Sequence, residues 1–261
     1  MALGTSSAVV IGSFPLGESD RVVTLYSREW GKVRGVAKSA RRMRSRFSGA
    51  LELFTLGEAV VFDNGRSDLV QLDHFDVTQP FPALHGDLET LGQAAWMVEC
   101  LARLTGERDR QVGLYALLVR SLRAMETTDR PARVAVCFGV RCLDALGHRP
   151  RLDRCTVCGR RYPFARPHLG IGGVECESCA RTTRDADPIT PAAVAALERL
   201  RRVRWEEAIE APLGRLEGEL KAALESHMAR LIGQPTRTTR FLRDVHRLPG
   251  ESEGGVAPFS R

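Results

Sequence analysis

The sequence predicts an α+β protein of more than one domain: a small N-terminal β-barrel, then a helical domain that carries a cysteine-bearing insert. Three observations predict it. Short apolar runs broken by turn signals fill about the first 79 residues, and the apolar spacing then changes to threes and fours. Two Cys-x2-Cys pairs interrupt that helical pattern between Cys155 and Cys179. A chain of 261 residues is long enough for about two cores. Its 43% hydrophobic and 27% charged content is ordinary for a globular protein.

In the first 79 residues, Ala8–Ile11 is followed by the turn signal Pro15-Leu16-Gly17, and Val22–Tyr26 by Trp30-Gly31. Lys32–Ala37 alternates in part, which predicts one face buried and the other basic and wet. Glu58–Phe62 and Asp68–Phe75 complete a set of five strands, with Asn64-Gly65 between the last two as a hairpin-turn signal. Five short strands without a long helix fit the five-stranded barrel of the OB-fold. An SH3-like barrel would give nearly the same pattern.

Pro80 and Pro82 end the β region. Asp87 is placed to cap a helix running to Thr105, whose apolar residues recur at spacings of three and four. A second helix is expected over 110–125. A third opens at Pro131 and stops at Gly147; it is apolar nearly all round, as the centre of a bundle would be. His148-Arg149-Pro150 begins an irregular segment that lasts to about Asp187. Thr190-Pro191 restarts the helical pattern, Pro212 opens a further helix, and 236–248 reads as a short basic helix. The Gly-, Ser- and Glu-rich end is expected to be disordered. The division expected is therefore 1–79 barrel, 80–147 first helical part, 148–187 insert, 188–248 second helical part and 249–261 tail.

The insert holds the sharpest motif. Cys155-Thr-Val-Cys158 and Cys176-Glu-Ser-Cys179 are separated by 17 residues. Two tight knuckles bring four thiolates to the corners of a tetrahedron, the arrangement that holds one structural zinc ion. A site closed by four thiolates leaves no position for a reacting water, so the zinc would supply folding energy. His168 lies between the pairs and could replace a ligand, though four thiolates already suffice. Cys100, Cys137 and Cys142 have apolar neighbours on helices and read as core.

The net charge of +6 is modest, but its placement is not. Lys32, Arg34, Lys38, Arg41, Arg42, Arg44 and Arg46 fall within 15 residues that include no acid. The plain reading is a solvated loop that aids solubility. The functional one is a polyanion site, because neutralised phosphates release condensed counterions. Lys38 and Arg41–Arg46 would form a phosphate-binding edge of the barrel, with Lys32 and Arg34 as its floor. Trp30, Phe47 or Tyr26 could stack on bases if exposed, although the neighbours of Tyr26 and Phe47 favour the barrel core.

Enzyme motifs are missing: the sequence has no P-loop, no dinucleotide-binding glycine pattern and no nucleophile elbow. The six histidines are scattered singly. No stretch approaches a membrane span, and the start has no basic region before its apolar patch. Both absences predict a cytoplasmic protein.

The order of parts is similar to that of the RecO family of bacterial DNA repair and recombination mediators. The resemblance is carried by Glu18-Ser-Asp20 with Val22–Tyr26, by Ser27–Val33, by Gly35–Arg42 and by Ser45-Arg46-Phe47. It continues in Gly49-Ala-Leu51, Phe54-Thr-Leu56, Phe138–Gly147, the cysteine quartet and Thr239–Arg243. What the resemblance implies is a non-enzymatic, nucleoid-associated protein that binds single- and double-stranded DNA and anneals complementary strands. It also implies partners: RecR, the acidic C-terminal tail of single-stranded-DNA-binding protein, and RecA, which the family helps to load. Arg141, on the mostly apolar third helix, is then a candidate partner for the tail's carboxylates; its plain alternative is a buried structural ion pair. A zinc-ribbon protein associated with transcription or RNA would share the charge and the quartet. A zinc-dependent deacetylase would share the knuckle spacing but needs a dinucleotide-binding domain, which the sequence does not show.

Overall fold

The computed structural model describes residues 2–63, 65 and 67–247. Five strands, β1 (Ala2–Leu16), β2 (Asp20–Ser27), β3 (Gly31–Ala37), β4 (Leu56–Asp63) and β5 (Leu69–Gln79), close into a barrel. The order around it is β1-β2-β3-β5-β4. The long β1 makes this closure possible. Its first half pairs with β4 and its second half with β2, and the register shifts between Val10 and Gly12 where the strand bends. The parallel pairing of β3 with β5, Arg34 opposite Leu69 through Ala37 opposite Leu72, completes an OB-fold. Asn64 lies outside the described residues; Gly65 sits at φ 65° and its N–H bonds to Asp63 Oδ1 at 2.8 Å.

The alternation read in β3 is realised in full. Gly31, Val33, Gly35 and Ala37 point inward, whereas Lys32, Arg34 and Val36 point outward. Val10, Val23, Leu25, Val33, Leu72 and Phe75 fill the interior, and Phe47, Ala50 and Leu51 from the β3–β4 connection plug it. On the outer surface Val9, Ile11, Tyr26, Phe54 and Leu56 belong to the core of the helical part, so barrel and helices share one apolar interface.

After a 3-10 turn at Pro82–His85, the helical part consists of α1 (Leu88–Leu104), α2 (Val112–Met125), α3 (Pro131–Ala145), α4 (Glu177–Thr183), α5 (Pro191–Arg202), α6 (Trp205–Glu210), α7 (Leu216–Ile232) and α8 (Arg237–Arg247). Asp87 caps α1 by accepting from Thr90 N–H at 2.9 Å. Thr190 caps α5 in the same way, through Ala193 N–H at 3.2 Å. The nearly all-apolar α3 is the hub, packed by α1, α2, α5, α6 and α7. Its one buried cation, Arg133, pairs with Glu217 at 2.6 Å and also donates to the carbonyl of Ala211. Two expectations fail here. Pro212 precedes a turn rather than opening a helix, and the last long helix starts at Leu216. The short α6 breaks what reads as connection, because one turn is too brief for periodicity to show. The disorder expected over 249–261 lies outside the described residues.

The insert forms a three-stranded sheet in the order β7 (Gly173–Glu175), β6 (His168–Gly170) and β8 (Asp187–Pro188), with α4 between β7 and β8 in the chain, at the second knuckle. It is tied to α7. Arg230 donates to Asp187 at 2.7 Å and to Asp185 at 3.1 Å, and the Ser226 hydroxyl donates to Asp187. Between these groups His227 is fully buried, and neither ring nitrogen has a well-formed hydrogen bond. Burial holds its pKa below the ordinary 6.5, against a smaller opposite pull from the backbone of His148 and Gly170. The folded protein therefore binds this proton less readily than the unfolded chain. Stability is kept above pH 6.5 and falls as the pH drops below it. Thermal unfolding across that range is expected to show the acid loss, and His227→Leu to flatten it; an unchanged acid limb in the variant would assign the loss to other groups.

Candidate nucleic-acid interface and metal centre

The basic stretch begins on β3 and continues into the loop before β4. Asp20 at the start of β2 organises the loop: its carboxylate accepts from Ser39 N–H at 2.8 Å and from the Ser19 hydroxyl at 3.0 Å. Those bonds, with the nearby Lys38 and Arg42 charges, hold its carboxyl below the usual range. Arg41 N–H donates to Ser19 O at 2.9 Å, and its guanidinium to Gly17 O at 2.8 Å. The loop is thus strapped to the β1–β2 hairpin and returns to the barrel through buried Phe47.

Between those anchors Lys38, Arg41, Arg42 and Arg44 are exposed, and Met43 at the crest is 100% exposed. Among the described residues Lys38, Arg42 and Arg44 have neither a salt bridge nor a side-chain hydrogen bond. Arg46 is half exposed, 3.3 Å from Asp73 and 5.1 Å from the centre of the Phe47 ring.

The expected floor of this site needs correction at Lys32. Its side chain is only 12% exposed, and its ammonium donates to Ala102 O at 2.6 Å and Thr105 O at 2.7 Å. It closes the C-terminal end of α1, where carbonyls lack helical partners and the dipole favours a cation. Arg34 is 3.6 Å from Glu107 and partly screened by it. The segment 105–111 between α1 and α2 accounts for both: it crosses the start of β3, with Arg108 N–H on Lys32 O at 2.8 Å. The aromatics resolve likewise. Tyr26 and Phe47 are core, and Trp30 is partly buried with its ring against Gly4.

Among the described residues Arg141 forms no salt bridge, although its charge acts on Asp144 one turn further along α3. It donates to Val203 O at 2.7 Å, at the end of α5, and lies over the Trp205 ring at 5.6 Å. Its Nε is buried without a partner. It lines a cleft of about 770 Å³ at the junction of barrel and helices, together with Arg28, Arg120, Arg123, Tyr115 and Trp205. Sequence reading singled out Arg141 but not the cleft, because its cations come from separate elements.

The four cysteines converge. All four Sγ atoms lie within 4.8 Å of one another, and Cys158 and Cys176 are 3.9 Å apart. A tetrahedron with metal–sulfur bonds of about 2.3 Å has edges of about 3.8 Å, so the donor set fits a thiolate-seeking divalent cation. Ser178 and the Cys179 backbone favour the Cys176 thiolate, and its proximity in turn pushes the Cys179 thiol up. Thiolates this close repel until a cation joins them. Gly173, at φ 138°, lets the second knuckle approach Arg151: a Cβ there would stand 2.1 Å from that residue's carbonyl oxygen. His168 is outside the group, paired in β6 with Glu175 and Pro188. No helix among the described residues is long and apolar enough to cross a membrane.

Comparison with known proteins agrees with this architecture. Residues 1–81 match the family model "Recombination protein O N terminal", and residues 85–240 match "Recombination protein O C terminal". The chain is 37% identical over 251 residues to "DNA repair protein RecO" of Anaeromyxobacter dehalogenans (strain 2CP-C), covering 94% of this chain and 97% of that one. It is 31% identical to the protein of that name from Myxococcus xanthus, covering 91% and 96% of the two chains. The chain belongs to the RecO family of DNA repair proteins.

Proposed function

We propose that this protein is a non-enzymatic recombination mediator that binds single- and double-stranded DNA through the loop on its barrel and anneals complementary strands. The observation that carries the reading is the set Lys38, Arg42 and Arg44, exposed on an OB-fold and, among the described residues, engaged in no salt bridge, beside Arg41. Two DNA strands repel one another, and a surface that neutralises both lowers the barrier to pairing. Such contacts touch phosphate and carry no sequence information. Arg46 and Arg34, each shared with an acid, contribute less, and Lys32 contributes by holding the helical part on the barrel.

The family resemblance extends the proposal to partners. The Arg141 cleft offers cations above an aromatic ring, which suits the acidic tail of single-stranded-DNA-binding protein; Arg120 and Arg123 would take its carboxylates more directly than Arg141, which is held on Val203. RecR binding and assisted RecA loading in the nucleoid follow from the family alone. Zinc is the metal proposed for the quartet, with Cys155, Cys158, Cys176 and Cys179 as its ligands and folding of 148–187 as its role. The barrel of 1–79 and helical parts of 80–147 and 188–248 are the units proposed to flank it.

The test is annealing of complementary strands without ATP, with and without coating protein. The triple variant Arg41→Glu, Arg42→Glu, Arg44→Glu is expected to abolish annealing and to cost little stability beyond the exposed Arg41–Gly17 hydrogen bond, since exposed side chains without such contacts contribute within about 0.5 kcal/mol each. With four cations engaged, log K for single strands should fall against log salt with a slope of roughly −2.8. A flat salt dependence would sink the phosphate contacts. Stronger competition by RNA than by DNA would instead favour an RNA-associated protein.

A further inference from the structure

The outer face of β1, β2 and β3 has two ends with different fates. At one end Tyr26 and Lys32, opposite each other in the β2–β3 ladder, are covered by the helical part. At the other, Phe14 of β1 stands opposite Val22 of β2, which stands opposite Val36 of β3. Val22 is buried, yet Phe14 is 50% exposed, and Leu16 on the same side of its strand is 42% exposed. Single exposed apolar side chains are ordinary. This pair differs because the hairpin that carries it is the one the basic loop grips, through Arg41 on Gly17 and Ser39 on Asp20. An aromatic face and a set of exposed cations are therefore fixed to one rigid support.

We propose that Phe14 is a stacking platform for an unpaired base, with Leu16 extending it, while Lys38, Arg41 and Arg42 take the neighbouring phosphates. The inference rests on the DNA-binding reading above and adds a specificity to it. Cations bind the backbone of either a duplex or a single strand, but a duplex keeps the faces of its bases stacked inside. An aromatic side chain beside the cations therefore favours the single strand over the duplex, and tolerates any base, because every base has a π-face. The charge complementarity of the surrounding loop argues for nucleic acid as the occupant over a second protein.

The test uses the full chain at fixed salt and three fluorescent probes: a thymidine oligonucleotide, the same backbone with abasic sites, and a duplex of equal length. Phe14→Leu keeps apolar cover over Val22 but removes the ring, and Phe14→Tyr restores a ring. Phe14→Leu is expected to bind the thymidine strand about tenfold more weakly, with abasic and duplex affinities unchanged and Phe14→Tyr near wild type. Equal losses on all three probes, or no loss on the thymidine strand, would overturn the platform. Failure of the underlying reading looks different: wild-type protein would bind none of the probes, or the triple Arg→Glu variant would bind all of them as wild type does.

Discussion

If the four-cysteine site holds the proposed zinc, stripping it is expected to open the whole segment from 148 to 187 to protease while the barrel stays protected. Apart from the bonds of Arg230 and Ser226 to Asp185 and Asp187, the segment has little else to hold it. Its sheet consists of two three-residue strands and one two-residue strand. Its buried apolar side chains are few, chiefly Leu169, Val174 and Ala180. Structural zinc bound by such knuckles contributes roughly 10–16 kcal/mol of apparent binding energy near neutral pH, which far exceeds what so small a core supplies. Metal analysis of the purified protein is expected to give one zinc per chain, and none in a Cys155→Ala, Cys176→Ala variant. Limited proteolysis then reads the consequence: cleavage between 148 and 187 in the chelated protein and in the variant, with the barrel fragment persisting. A metal-free wild-type protein that resists cleavage would show that the ion pairs of Arg230 and the packing on α7 suffice alone.

The convergence of the four cysteines is legible in the sequence, and the reason is local. Cys-x2-Cys spacing, the Asp87 and Thr190 caps and the proline openings of α3 and α5 each act within a few residues. The alternation of β3 was legible because a strand's two faces appear directly in its period. What escaped depends on distant partners. Nothing near Lys32 reveals that carbonyls 70 and 73 positions later will bind its ammonium. The full length of β1 escaped because its two halves satisfy different neighbours, with Pro15 tolerated close to its end. Phe14 escapes for the same reason: it lies beyond the apolar run Ala8–Ile11, and only the full length of β1 puts it on the sheet, at its uncovered end. The arginine count misled in one respect only. Of the seven cations in the basic stretch, five lie in the loop, where Lys38, Arg41, Arg42 and Arg44 stay in water and Arg46 meets Asp73, while β3 gives Lys32 to a helix end and shares Arg34 with Glu107.

Replacing Gly31 with Ala is expected to loosen the barrel from the helical part and to produce a larger stability loss than a glycine-to-alanine change elsewhere. Gly31 opens β3 at φ 64°, a left-handed conformation that alone disfavours a Cβ by about 1–2 kcal/mol. A Cβ there would also stand 1.9 Å from the Asp109 carbonyl oxygen, which is backbone and cannot rotate away. The segment 105–111, a strap laid across the start of β3, would have to lift. Its displacement pulls at Arg108, bound to Lys32 O at 2.8 Å and to Asp63 at 2.5 Å, and at Arg110, bound to Glu29 at 2.9 Å. It also disturbs the Lys32 ammonium on the end of α1. Gly49 supplies the control: it has φ 70° but open space around its Cβ position, so Gly49→Ala isolates the backbone effect. Thermal unfolding is expected to rank Gly31→Ala well below Gly49→Ala, by about 2 kcal/mol or more if the strap separates. Hydrogen exchange would place the difference, with faster exchange at Arg108 and along the last turn of α1 in Gly31→Ala alone. Equal losses in the two variants would mean that the strap yields freely and that Lys32, despite its two carbonyl bonds, does not couple the domains. The basic loop is anchored to the β1–β2 hairpin rather than to the strap, so single-strand binding at low temperature is expected to survive in both variants.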